Sequence, residues 1–149
     1  MTVRVLAFDD LDPRTAYDVW RLRQQVFVVE QHSPYPDLDG RDREPATRHL
    51  LLERDGELVG YARVLDDGDW ARIGRVLVAR HARGQGLADE LVRTALELTG
   101  DREVRLDAQT GLGDWYASYG FVPTGPAFDD AGVMHIPMAR SASRDSPEG

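Results

Sequence analysis

At 149 residues and 42% hydrophobic content, the chain can build one core, since about 150 residues bury about two-thirds of their unfolded surface. Its 18 basic residues are all Arg and it has no Cys, which excludes a lysine P-loop, a lysine nucleophile or Schiff base, disulfides, thiol catalysis and cysteine-bound zinc. With 26 acidic residues and a formal charge of −8, a broad nucleic-acid or anionic-membrane surface is disfavoured, though not a small basic pocket for one phosphorylated ligand.

In chain order, Thr2–Phe8 reads as a strand. Asp12-Pro13 supplies an N-cap and a proline at the first helical position. Ala16, Val19, Trp20, Val26 and Phe27 then recur at helical spacing, predicting a helix over Pro13–Val28. The stretch Glu30–Ala46 holds three prolines and five acidic residues without a period; loops of this length are often functional. His49–Arg54 and Glu57–Leu65 flank Asp55-Gly56, a two-residue hairpin signal. Asp67-Gly68 turns the chain into a third run, Trp70–Val78. A helix over Gly86–Thr99 carries Leu87, Leu91, Ala95 and Leu98 on one stripe, and Gly100 ends it. Val104–Ala108 reads as a strand, Asp114–Tyr119 as a short helix, and Phe121–Thr124 and Met134–Ala139 as strands. The polar tail from Ser141 is expected to be disordered.

Strands in a meander followed by β-α-β predict a mixed sheet covered by helices in one α/β domain over residues 1–140. Trp70–Val78 and Val104–Ala108 are joined through a crossover helix, so they are expected to be parallel neighbours. No apolar run approaches the roughly 20 residues of a membrane span. The N-terminus lacks the pattern of a secretory signal, so a cytoplasmic location and no membrane partner are expected.

The segment Val76-Leu77-Val78-Ala79-Arg80-His81-Ala82-Arg83-Gly84-Gln85-Gly86-Leu87-Ala88 joins a strand end, a basic glycine-containing turn and a helix start. Free backbone N–H groups and the helix dipole make such a junction an anion site, and Arg80 and Arg83 add positive charge. A turn serving only chain reversal would need the same glycines. A dinucleotide fingerprint fits poorly, because Asp89 stands where Gly or Ala is wanted.

These residues resemble the GCN5-related N-acetyltransferases (GNAT). Arg83-x-x-Gly86-x-Ala88 is similar to the family's Arg/Gln-x-x-Gly-x-Gly/Ala motif, and Trp115-Tyr116-Ala117-Ser118-Tyr119-Gly120-Phe121 resembles its Phe-Tyr-x-x-x-Gly-Phe block. The resemblance covers about Val3–Arg140 and narrows to the ElaA-like subfamily through Val26–Gln31, the Pro34–Asp42 loop, Arg48-His49-Leu50 and His135-Ile136-x-Met138. It implies a mixed sheet with a splayed central parallel strand pair, acetyl-CoA as cosubstrate, no metal, a small amine or peptide amine as acceptor, and homodimers among its assemblies. Cofactor contacts are implied at Val76, Leu77, Val78, Arg83, Gly84, Gln85, Gly86, Leu87 and Ala88, and proton donation to the leaving thiolate at Tyr116.

Acyl transfer to an amine needs a polarised carbonyl, a deprotonated amine and a protonated thiolate. A backbone N–H at Val76 suits the first need and the Tyr116 phenol the third. For the base, Glu30 is a candidate if burial raises its pKa, and His49 and His135 titrate near neutrality. Each histidine also has an ordinary structural reading. No third ligand joins the two in a metal site, and the Asp37-x-Asp39-Gly40 spacing lacks a calcium-loop glutamate, with Arg48 in its place. Asp37, Asp39 and Asp42 either attract a cationic amine or are solvated turn-formers. A non-catalytic acyl-CoA-binding module and an acyl-homoserine-lactone-synthase-like acyltransferase are the alternative functions.

Overall fold

A computed structural model of the protein describes residues 2–142. Strand β1 (Val3–Leu6) leads through a short 3-10 turn to helix α1 (Pro13–Arg23), whose cap is the expected one: Asp12 Oδ1 accepts from Thr15 N at 2.8 Å. The helix does not continue to Val28. A wider π-helical stretch, Gln24–Glu30, follows it and turns Val26 into the core while leaving Val29 exposed. Such wide turns in helices often accompany functional sites.

The meander is β2 (Arg48–Arg54), β3 (Glu57–Asp66) and β4 (Trp70–Val78). Asp55 and Gly56 both take positive φ, 52° and 80°, as a hairpin turn matched to strand twist requires. After α2 (Leu87–Thr99) come β5 (Glu103–Gln109), α3 (Gly113–Ala117), β6 (Val122–Pro123), β7 (Phe128–Asp130) and β8 (Val133–Arg140). The sheet order is β1-β2-β3-β4-β5-β8-β6, with β7 paired to β8. Strand β7 had no sequence signal, for all of its residues are exposed and show no alternation. Its hairpin to β8 turns on Ala131-Gly132, again with positive φ at both positions.

Both faces of the central sheet are covered. Leu50 and Leu52 pack with Leu91, Val92 and Ala95 of α2, whereas Leu51, Tyr61 and Leu77 pack with Val19 and Val26 on the opposite side. A strand buried on both faces carries an unbroken apolar run instead of an alternating one, which accounts for Leu50-Leu51-Leu52. The α/β expectation is met, and β4 and β5 are the parallel pair. Residues 143–149 of the expected polar tail lie outside the described residues. No helix among the described residues is long and apolar enough to cross a membrane.

Candidate active site

Parallel pairing between β4 and β5 covers only Trp70–Arg72 against Glu103–Arg105. Beyond Arg72 the strands part. In the same stretch Arg75 and Val76 together face the single residue Ala62 of β3, and Arg75 takes a φ of 55°. Two residues opposite one make a β-bulge, which bends the strand and re-aims its side chains. The result is an opening in the sheet bordered by Val76 and by Tyr116 of α3.

On one side of that opening lies a groove of about 480 Å³, lined by Val76, Leu77, Val78, Arg83, Gly84, Gly86, Leu87 and Ala88, with Trp115 and Tyr116 opposite. These are the sequence-predicted cofactor residues except Gln85, which points elsewhere and accepts a hydrogen bond from Arg54 Nη1. Gly84 and Gly86 have φ of 77° and 79°, and a Cβ at either would meet open space. Glycine is there for its left-handed backbone. Gly86 caps α2 without a side chain, so the first-turn amides have no intrahelical partner and the positive helix end opens on the groove. Asp89 in that turn is already engaged: its carboxylate accepts from the Tyr119 hydroxyl and from Arg93 Nε, and both hold its pKa below the usual range.

Arg83 does not extend into the groove as a free cation. Its Nε donates to the Val78 carbonyl at 2.9 Å, and its terminal nitrogens meet both carboxylate oxygens of Glu30 at 2.5 and 2.9 Å. Glu30 is thereby corrected as a raised-pKa base. The hydrogen bonds from Arg83 lower its pKa, and it borders a separate surface depression beside α1 instead of the opening.

On the other side of the opening is a cavity of about 180 Å³ lined by residues that include Phe27, Tyr35, Arg75, Val76, Leu106, Asp107, Tyr116, Asp130 and His135. Tyr116 is 6% exposed. Its ring meets Trp115 edge-on at 4.8 Å and Phe121 at 6.0 Å. Burial pushes its phenol up to about 12, so at neutral pH the hydroxyl is a proton donor. His135 of β8 lines the cavity too, its Nδ1 2.9 Å from the Val133 carbonyl and its ring stacked on Phe128 at 5.9 Å.

His49 does not fit the role of base either. It is fully buried, borders neither space, and has both ring nitrogens occupied: Nε2 lies 2.8 Å from the Asp42 carbonyl and Nδ1 2.5 Å from Tyr61 Oη. A carbonyl only accepts, so Nε2 carries the proton and Nδ1 accepts from the tyrosine. Burial lowers the histidine's pKa. This is a structural pair.

The acidic loop is likewise spoken for. Arg23 binds Asp37 at 2.8 Å and Asp42 at 2.6 Å; Arg63 binds Asp42 at 3.0 Å and Asp39 at 2.9 Å; Arg75 reaches Asp37 at 2.8 Å. Tyr35 adds a hydrogen bond to Asp37. Three carboxylates facing three guanidiniums leave little net charge to draw in an amine. Buried charges require such partners, and that requirement was the available hint that the loop's aspartates seek arginines. Among the described residues no cluster of His, Asp and Glu is arranged to hold a metal ion.

Residues 10–142 match the family model described as an acetyltransferase (GNAT) domain. The chain belongs to the GNAT family. This GNAT chain is 47% identical over 139 residues to UPF0039 protein Rv2851c of Mycobacterium tuberculosis, covering 90% of this chain and 89% of that one. Its fold matches the crystal structure of Escherichia coli ElaA with a TM-score of 0.88 and 38% identity, over 94% of this chain and 99% of that one. An acyl-CoA N-acyltransferase from Pseudomonas aeruginosa matches with a TM-score of 0.86 and 36% identity, over 95% and 100%. Within the GNAT acyltransferases the chain is ElaA-like.

Proposed function

We propose that the protein moves an acetyl group from acetyl-CoA directly to a primary amine of a small molecule or peptide. The observation that carries this reading is the placement of Val76 and Tyr116, which border both the groove and the cavity. A reacting thioester and an acceptor amine entering from opposite sides meet at those two residues.

The groove fits an anionic, pantetheine-bearing ligand. Its glycine turn lets a diphosphate approach the backbone, and the amides of Gly84, Gly86, Leu87 and Ala88 with the α2 dipole are suited to hold it. Beyond Arg72 the edge of β4 pairs with nothing on the β5 side among the described residues, so the Val76 and Val78 backbone is available to an extended arm. When bound, acetyl-CoA supplies an activated acyl carbon on a thiol leaving group. The Val76 N–H serves to polarise the carbonyl, and Tyr116 Oη serves to protonate the departing sulfur. Arg83, clasped to Val78 and Glu30, braces the loop.

Calorimetry with acetyl-CoA and with CoA tests the binding, and thiol release across an amine panel tests the transfer. The chain has no Cys, so a thiol reagent reports released CoA without a protein background. Binding of both ligands with amine-dependent thiol release is expected. Failure to bind either ligand overturns the reading, and binding without thiol release identifies a binding module.

A further inference from the structure

We propose that His135 is the general base that removes a proton from the acceptor ammonium. This inference rests on the acetyltransferase reading and extends it to the acceptor side. The Val133 carbonyl sits 2.9 Å from His135 Nδ1. A carbonyl oxygen has no proton to give, so Nδ1 carries the N–H in the neutral ring and Nε2 keeps the lone pair. Stacking on Phe128 at 5.9 Å and 25° holds the ring plane. No hydrogen bond to Nε2 is made among the described residues, and the side chain lines the cavity that Tyr116 also lines. A half-buried imidazole with a fixed tautomer and a free basic nitrogen is thus placed in the space assigned to the amine.

The competing bases are removed by their own contacts. Glu30 is bound on both oxygens by Arg83 outside this cavity, and His49 has no free nitrogen. The charged and titratable groups facing the same space are Asp130 of β7, Asp107 of β5, Arg72 and Arg75 of β4, Arg63 of β3, and Tyr35 and Tyr116. Arg63 and Arg75 are tied to the aspartates of the acidic loop, and Arg72 to Asp67 at 3.3 Å. Arg72 also reaches Asp107 at 3.5 Å, so Asp130 is the exposed carboxylate left at the rim without an ion pair among the described residues, a setting that accepts a cationic acceptor.

His135 Nε2 takes one proton from the ammonium, and the freed nitrogen lone pair forms the amide C–N bond as the thioester C–S bond breaks. The sulfur leaves with the electron pair of that bond and takes the proton of Tyr116 Oη. The second nitrogen proton returns to the Tyr116 oxygen, and His135 passes its proton to water.

His135→Asn is the chosen test, because the asparagine amide occupies the Nδ1 position, keeps a donor for Val133 and removes Nε2. His135→Ala serves as a second variant. The expected result is a loss of about 10²–10⁴-fold in kcat with acetyl-CoA affinity by calorimetry unchanged. The acidic limb of the kcat/KM profile should move up in pH, with activity recovering only toward the amine's own pKa. Wild-type turnover matched by both variants with an unchanged profile overturns this inference and leaves the acetyltransferase reading intact. A wild-type protein that binds acetyl-CoA yet acetylates no amine overturns that reading, and this inference with it.

Discussion

Glu30 and Arg83 stand 53 positions apart in the chain and meet through both carboxylate oxygens, at 2.5 and 2.9 Å. The pair links the end of the π-helical stretch to the loop that opens α2, and Arg83 Nε fastens the same loop to Val78. Glu30 therefore helps to hold the loop that borders the groove proposed for the cofactor. Both side chains are about a third exposed, so the pair itself is worth ~0–1 kcal/mol. Glu30→Gln should leave the shape of the kcat/KM pH profile unchanged and raise the KM for acetyl-CoA a few-fold, measured by steady-state kinetics from pH 5.5 to 9. An acidic limb moved up toward the amine's own pKa would return Glu30 to the role of base.

Tyr116→Phe separates chemistry from packing. No hydrogen bond to Tyr116 Oη is made among the described residues, and its ring is held by Trp115 and Phe121. Removing the hydroxyl leaves no orphaned partner, so the melting temperature should change little. With a phenol raised to about 12 acting as donor, kcat should fall by about 10²-fold or more while CoA affinity stays constant by calorimetry. Weakened CoA binding with unchanged turnover would make Tyr116 a positioning residue instead.

Gly86→Val tests the groove. Valine at a φ of 79° is strained by ~1–3 kcal/mol, and its side chain would project into open space beside the α2 amides. Loss of measurable CoA binding is expected, with a lowered but cooperative melting transition. Gly84→Ala, at a comparable φ, should give a smaller loss in both. Normal CoA affinity in the valine variant would remove the loop from the cofactor site.

The features legible in the sequence were those written in consecutive residues. The Asp55-Gly56 turn, the Leu87, Leu91 and Ala95 stripe, and the junction from Val76 to Ala88 each declare themselves within one or two turns of chain. What was illegible depends on partners far away. Asp37 looks like any loop carboxylate until Arg23 and Arg75 are found 14 and 38 positions distant. Glu30 looks like a titratable group near the active site until Arg83 is found on it. The β4 bulge left no mark either, because arginine as a residue type does not ask for the positive φ that Arg75 takes. The two histidines divide on the same ground: Tyr61 and Asp42 take both nitrogens of one, whereas Val133 takes a single nitrogen of the other.

The buried arginine cluster should be the most fragile part of the fold outside the apolar core. Arg23 is fully buried, and its guanidinium also lies 5.2 Å from the Trp20 ring centre. Arg23→Met removes the shared partner of Asp37 and Asp42. Each keeps one other cation, Arg75 and Arg63 respectively, so the cost should fall at the low end of the ~3–5 kcal/mol typical of broken buried pairs. Thermal denaturation should show a drop of about 6–12 °C for such a loss in a domain of this size. The acceptor KM should rise as well, because Tyr35 and Arg75 hang from Asp37 at the cavity wall.

Stability should fall on the acid side in two separable stages. Burial lowers the pKa of His49 below its ordinary 6.5. The unfolded chain therefore binds a proton near pH 6.5 that the folded protein refuses until lower pH. Stability is full above 6.5 and declines below it, with a slope approaching about 1.4 kcal/mol per pH unit. Asp39 contributes the second stage. Burial raises its pKa, but hydrogen bonds from Arg63 outweigh that and hold it at about 2, against an ordinary 3.8; its contribution is present above 3.8 and is lost as pH falls toward 2. Urea unfolding at half-unit intervals from pH 7.5 to 2 checks both. His49→Gln, which keeps a donor for the Asp42 carbonyl, should be less stable at pH 7.5 because Tyr61 loses its acceptor, yet it should abolish the slope between pH 6.5 and 5. A slope that survives the substitution would assign that proton to another group.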